Sequence, residues 1–260
     1  MTNETKAPGL LTVSALHKSF AGVHAVEDMS FDVPHNTITG IIGPNGSGKS
    51  TTIDCLSGFQ KPDSGSVILD GTDITGLPAE AIAKAGLIRT FQTVRIYEQM
   101  TLKENLLQAM RPFQKVNWLD DFLRTPAMRR AVEEAMVRAN ELTDMIGLRR
   151  YFDAPTGILS YGQKKLVALA AGLMVRPKLL ILDEPVAGVN PSRIREIEEV
   201  ILNLHAAGES FVIVEHNVEF VMRLSERVVV FVNGTKMTEG DPATVQNDQR
   251  VLEAYLGNAS

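Results

Sequence analysis

The stretch GPNGSGKST, residues 43–51, decides how the rest of the chain is read. It fits the spacing G-x-x-x-x-G-K-[ST], with Gly43, Gly48, Lys49 and Ser50 at the fixed positions. TITGII (residues 37–42) precedes it, a short β-branched apolar run suited to a buried strand, and TTIDCLSGF (residues 51–59) follows with helix-compatible composition. Strand, loop and helix in that order allow glycines to turn successive backbone N–H groups inward, and the helix aims its positive end at the same point. Lys49 adds a mobile cation for β- and γ-phosphates, and Ser50 a hydroxyl for Mg²⁺, which prefers oxygen ligands. A glycine-rich turn with an accidental lysine is the alternative, and the flanking strand and helix disfavour it.

Working outward, 260 residues suffice to bury a full core without disulfide or metal staples. The single cysteine, Cys55, falls in the helix after the loop and reads as a packing residue. Formal charge is −5, and basic residues are scattered apart from short pairs such as Arg129-Arg130 and Lys164-Lys165, which argues against a general nucleic-acid binder. The first residues, MTNETKAPGLL, lack a signal-peptide pattern, and the longest apolar run, LVALAAGLMV (residues 166–175), is too short for a membrane span. A soluble, cytoplasmic protein is expected, with any membrane role arising through partners.

On the N-terminal side of the loop, LTVSALHKSF (residues 11–20) and VEDMSFDV (residues 26–33) read as two strands joined by a turn at Ala21-Gly22. Beyond it come a strand within residues 61–71, a short helix at 78–84 and a strand LIRTFQ (residues 87–92) ending on a polar side chain. Strand-like alternation then disappears. Helices are expected at residues 102–110, 127–146 and 163–173, the second burying Val132, Met136, Ala139, Leu142 and Ile146 at steps of three and four. The connection at residues 111–126 holds the only tryptophan, Trp118, and reads as an amphipathic surface segment. The α/β pattern resumes at PKLLILDEP (residues 177–185), a strand buried on both faces with Asp183 and Glu184 at its C-terminal end, where ligands of parallel sheets collect. Asn190-Pro191 starts a helix burying Ile194, Ile197, Ile201 and Leu204; SFVIVEH (residues 210–216) repeats the apolar strand with a polar tip; a hairpin turns at Asn233-Gly234.

LSYGQ (residues 159–163) introduces the apolar helix of residues 164–173 with a serine and a glycine, a second place where backbone N–H groups and a helix N-terminus can hold an anion. Two anion sites in one chain suggest a triphosphate shared between subunits.

GPNGSGKST, Gln92 in RTFQ, LSYGQ, LLILDEP, the AGVN turn and His216 in VIVEHN occur in the order and spacing of ATP-binding-cassette transporter ATPases, and the resemblance spans essentially the whole chain. It implies an α/β fold: a P-loop NTPase core of cassette type with an N-terminal antiparallel β subdomain and an inserted helical subdomain. Residues 1–92 and 176–260 would form the core and residues 93–175 the helical signature subdomain. The resemblance further implies that Phe20 stacks on adenine, that Asn45, Gly46, Ser47, Gly48, Lys49, Ser50 and Thr51 cradle the phosphates of ATP, and that Ser50 and Gln92 ligate Mg²⁺ with Asp183 supporting the ion. Glu184 resembles the residue that orients or deprotonates the attacking water, His216 the switch that contacts the γ-phosphate. Ser160, Gly162 and Gln163 would close over ATP on the opposite subunit.

Tyr161 in the signature, Asn190 in the turn, the sequence FQTVRIYEQMTLKENL and the long 111–126 connection resemble the longer ATPase subunit of branched-chain amino-acid uptake systems. That implies a head-to-tail dimer with a second ATPase subunit, transmembrane permease subunits at the cytoplasmic face of the inner membrane, an extracytoplasmic solute-binding protein acting indirectly, and no nucleic acid. Residues 94–100 are the candidates for contact with the permease. A lipid or lipopolysaccharide exporter ATPase and a non-transport cassette switch are the competing readings; the second lacks the joined cassettes or long coiled coil usual for it.

Overall fold

The computed structural model describes residues 9–90, 96–110 and 126–256. Gln92, Trp118 and residues 94 and 95 lie outside them. In chain order the elements are β1 (Leu11–Phe20), β2 (Val23–Val33), β3 (Ile38–Ile42), α1 (Lys49–Leu56), β4 (Ser64–Leu69), β5 (Thr72–Asp73), α2 (Ala79–Ala85) and β6 (Leu87–Arg89). Then follow α3 (Leu102–Met110), α4 (Pro126–Met145), α5 (Tyr161–Leu173), β7 (Leu179–Asp183), α6 (Ile194–Ala206), β8 (Phe211–Val214), α7 (Val218–Leu224), β9 (Arg227–Val232), β10 (Thr235–Gly240), α8 (Pro242–Gln246) and α9 (Gln249–Leu256). Contacts divide these into two units: one of residues 9–89, 178–185 and 205–256, the other of the described residues within Thr90–Pro177 together with Val186–Leu204.

The first unit holds two sheets. An antiparallel sheet runs in the order β2-β1-β4-β5, and a mixed sheet in the order β10-β9-β3-β8-β7-β6, parallel except for β10 on β9. Parallel strands covered on both faces need near-continuous apolar sequence, and β3, β8 and the first four residues of β7 are buried throughout. Between the sheets Phe31 of β2 meets Phe231 of β9 with centroids 5.7 Å apart and planes tilted by 59°, an edge-biased aromatic pair. Leu11, Leu16, Met29, Ile41, Ile53, Leu56, Leu69 and Val229 complete this core. Cys55 belongs to it, and burial pushes its thiol up to about 11, so it packs and does not react.

β2 begins three residues earlier than its alternation suggests, because the β1–β2 pair is bulged: Ala15 and Asp28 both have positive φ and the register shifts around them. His17 ties the bulges together, its Nδ1 2.8 Å from the Ala15 carbonyl and its Nε2 accepting from the Asp28 N–H.

In the second unit α3, α4 and α5 pack on one another. Ala135, Ala139 and Leu142 of α4, with Ile146 just beyond it, are buried, whereas Val132, expected with them, is 41% exposed. Asn105 of α3 is the polar hub: its Oδ1 accepts from Tyr97 N and its amide donates to the carbonyls of Tyr97 and Thr101, which fixes the chain entering the helix. α5 begins at Tyr161, two residues before the expected start at 163, with Ser160 as its N-cap.

Candidate active site

Strand order assembles the site. In the parallel sheet β8 lies between β3 and β7, with Val214 level with both Ile41 and Asp183, so three C-terminal strand ends finish side by side. β3 delivers the phosphate loop, β7 delivers Asp183 and Glu184, and β8 delivers Glu215 and His216.

The loop is shaped by glycines where no side chain fits. Gly48, the N-cap of α1, has φ of 93°, and a Cβ there would sit 2.5 Å from the Ala25 carbonyl oxygen. At Gly43 a Cβ would meet the Phe231 carbonyl at 2.1 Å. The loop also rests on the β9–β10 hairpin: Gly234 donates to the Ser47 carbonyl at 3.2 Å and accepts from Glu27 N–H at 2.8 Å. Asn233 and Gly234 both take positive φ, as a tight hairpin turn requires. Lys49 is only 6% exposed. Its Nζ donates to the Gly43 and Pro44 carbonyls at 2.7 and 2.9 Å and to Ser47 Oγ at 3.3 Å. Burial lowers its pKa, and the Glu184 charge partly opposes the shift. The hydrogen bonds of Lys49 all go to neutral oxygens, so the phosphates of a triphosphate would add anionic charge directly beside a buried ammonium.

A cavity of about 320 Å³ opens on this loop, lined by Val23, His24 and Ala25 of β2, Asn45 to Thr51, and His216. Asn45, Gly46 and Ser50 of this lining are exposed towards solvent. Phe20 is 43% exposed and pairs across the hairpin with Val23, which lines the cavity; Lys18 Nζ sits 5.3 Å from its ring. An exposed aromatic ring beside the cavity is available for stacking.

Glu184 follows β7 in the left-handed region, φ 49°, its N–H donating to the Val214 carbonyl at 2.8 Å and its Oε1 2.9 Å from His216 Nε2. A non-glycine residue held at positive φ is strained, and such strain concentrates at functional positions. Glu215, 4% exposed, accepts from the N–H groups of His216 and Asn217 and so sets the turn that presents His216. Asp183 is engaged differently: both of its contacts come from Arg89, Nε at 3.2 Å and Nη2 at 2.7 Å, and both fall on Oδ2.

Ser160 caps α5 in a reciprocal box: its Oγ accepts from Gln163 N–H and its own N–H donates to Gln163 Oε1 at 2.9 Å. Gln163 is thus committed to shaping the helix start. Tyr161 rests on the turn at Gly188, where a Cβ would lie 3.2 Å from the ring, and Gly162 faces Val189. The signature tyrosine and the AGVN turn are matched to each other within this unit. Lys164 pairs with Glu98.

Sequence reasoning did not single out four residues that the structure places here: His24, Glu215, Arg89 and Tyr255. Tyr255 of α9 lines a neighbouring cavity with Gly43, Pro44, Asn45 and His216, and burial pushes its phenol up to about 12, the Gly43 amide working the other way. The bulge and hairpin register that carry His24, and the reach of α9, are tertiary facts. Glu215 had a signal, as the acid beside His216 at a strand end.

The ABC transporter family matches residues 26–187, from β2 to the first residue of the AGVN turn. The chain belongs to the ABC transporter ATPases. A second family, the branched-chain amino acid ATP-binding cassette transporter segment, matches residues 235–259 of the cassette. The cassette is 38% identical over 251 residues to the high-affinity branched-chain amino acid transport ATP-binding protein BraF of Pseudomonas aeruginosa, covering 96% of this chain and 98% of BraF. Identity to LivG of Escherichia coli (strain K12), described in the same words, is also 38% with the same coverage. Among solved structures, the ADP conformation of the ATP-binding cassette MJ1267 superposes with a TM-score of 0.82 at 33% identity, over 96% of this chain and 99% of that one. The dimeric cassette MJ0796 bound to ADP and Pi shares the fold, with a TM-score of 0.72 at 21% identity. The chain is an ATPase of the transport type, and among its described residues no helix is long and apolar enough to cross a membrane.

Proposed function

We propose that this cassette is the nucleotide-hydrolysing subunit of an importer for branched-chain amino acids. The observation that carries the catalytic part is the convergence of Lys49, Glu184 and His216 on three adjacent strand ends. The relatives, 38% identical along the whole chain, and the branched-chain family match at residues 235–259 support the substrate.

In this reading the backbone N–H groups of Asn45 to Thr51 and Lys49 hold the phosphates of ATP, and Phe20 with Val23 and His24 takes the nucleoside side. Ser50, Gln92 and Asp183 would hold Mg²⁺, oxygen donors with a carboxylate nearby suiting a hard cation, which would supply charge neutralisation at the phosphates. Glu184 accepts the proton of the water that attacks the terminal phosphorus, and His216, already 2.9 Å from Glu184, keeps that carboxylate oriented and offers a donor to the phosphate being released. Ser160 and the start of α5, with Gly162 and Gln163, cover ATP on a second ATPase subunit, so that ATP closes a head-to-tail pair and hydrolysis reopens it. Permease subunits select the amino acid and seat the cassette on the cytoplasmic face of the membrane. Residues 94–100 contact them; of these, Tyr97 and Met100 present exposed apolar surface from a backbone fixed by Asn105.

Isolation of the native complex tests this reading. Two permease chains and a second cassette should co-purify, and ATP turnover in membrane vesicles should rise on adding leucine with its binding protein. Turnover stimulated by a lipid substrate and not by amino acids would contradict it.

A further inference from the structure

Arg89 is the last residue of β6 and its side chain is only 10% exposed. Through Nη1 it reaches Asp54 Oδ1 on α1 at 2.5 Å and Ser57 Oγ at 3.3 Å. Through Nε and Nη2 it grips Asp183 Oδ2 on β7. The Phe59 ring lies 5.8 Å from its guanidinium carbon and covers the outer side. One planar fork therefore joins the helix that begins with Lys49 and Ser50 to the strand that ends in Asp183. Among the described residues these are the only hydrogen bonds to the Asp183 carboxylate, and both fall on Oδ2. A guanidinium suits this task because its donors are fixed in one plane and cannot be deprotonated, whereas a lysine offers one mobile point charge.

We propose that Arg89 is a positioning residue for the divalent-cation side of the site: it holds Asp183 through Oδ2 and, by anchoring to Asp54, ties that carboxylate to α1, the helix that carries Ser50. The inference rests on the assignment of Ser50 and Asp183 to Mg²⁺. Arg89 touches neither nucleotide nor ion, and acts through the two carboxylates.

The experiment titrates Mg²⁺ into the full chain with a fluorescent ATP analogue and follows binding, with a parallel series in EDTA. Asp183→Asn controls the underlying assignment and should raise the Mg²⁺ concentration at half-effect. Arg89→Met, which keeps the length and removes the fork, should raise it about tenfold, equivalent to about 1.4 kcal/mol, while binding in EDTA stays at the wild-type level. Arg89→Lys should recover part of the shift, and Asp54→Asn, which loosens only the helix anchor, should shift it in the same direction by less. If Arg89→Met does not fold, the Asp54→Asn titration decides. A wild-type Mg²⁺ midpoint in the Arg89 and Asp54 variants, with Asp183→Asn shifted, overturns the inference alone; equal losses with and without Mg²⁺ reduce Arg89 to a structural bond and overturn it as well. An unshifted midpoint in Asp183→Asn overturns the assignment beneath it.

Discussion

Lys49 carries the sharpest chemical consequence of the loop's geometry. Its ammonium is buried on carbonyl oxygens, and burial lowers its pKa from 10.5. In the pH interval between that lowered value and 10.5, the unfolded chain binds the proton more tightly than the folded one. The stability of the nucleotide-free protein therefore gains from this group as pH rises through the interval. Nucleotide phosphates beside the ammonium raise its pKa again. Lys49→Met is expected to leave the melting temperature without ATP equal to or above wild type, because a desolvated charge is gone, while the ATP-induced rise in melting temperature disappears; thermal melts with and without ATP check both. Glu184→Gln is expected to retain ATP binding and lose about 10²–10⁴-fold in turnover, the range for loss of a positioned base. A steady-state assay on the assembled complex reads that loss. Gly48→Ala is expected to destabilise by about 1–3 kcal/mol through positive φ alone, with further loss from the 2.5 Å approach to the Ala25 carbonyl, measurable by urea unfolding.

At the scale of elements, α5 combines two roles that a substitution can separate. Ser160→Ala removes the capping box and should cost about 1 kcal/mol of stability. Ser160→Asn keeps a good N-cap and should restore that stability, yet place a bulkier, differently directed group where ATP of the opposite subunit is to be covered, so turnover should stay low. Unfolding and ATPase measurements on the pair distinguish cap from contact. The elements were largely legible because each carries a local signal: the apolar runs at 179–182 and 211–214 are strands buried on both faces, and α3 spans the residues its pattern marks. The start of β2 was decided by a long-range partner: the strand extends to Val23 through a bulge that His17 braces from the neighbouring strand, and Val132 of α4, expected in the core, is exposed.

For the whole molecule, sequence motifs named most residues at the strand ends but not their wiring. That Asp183 is held by Arg89 and that Glu184 meets His216 depend on β6 flanking β7 and on β8 lying beside β7. No local pattern encodes strand order. Identity of the cargo is less accessible still, since the reading assigns cargo selection to permease chains; it enters through the relatives and the segment at residues 235–259. The most direct test is ATP-driven uptake of labelled leucine into proteoliposomes holding the assembled complex, with this cassette either wild type or Glu184→Gln. The account predicts accumulation that requires ATP, Mg²⁺ and the binding protein and that falls to near background in the variant; undiminished uptake by the variant, or ATP turnover with no amino-acid accumulation by the wild type, would contradict it.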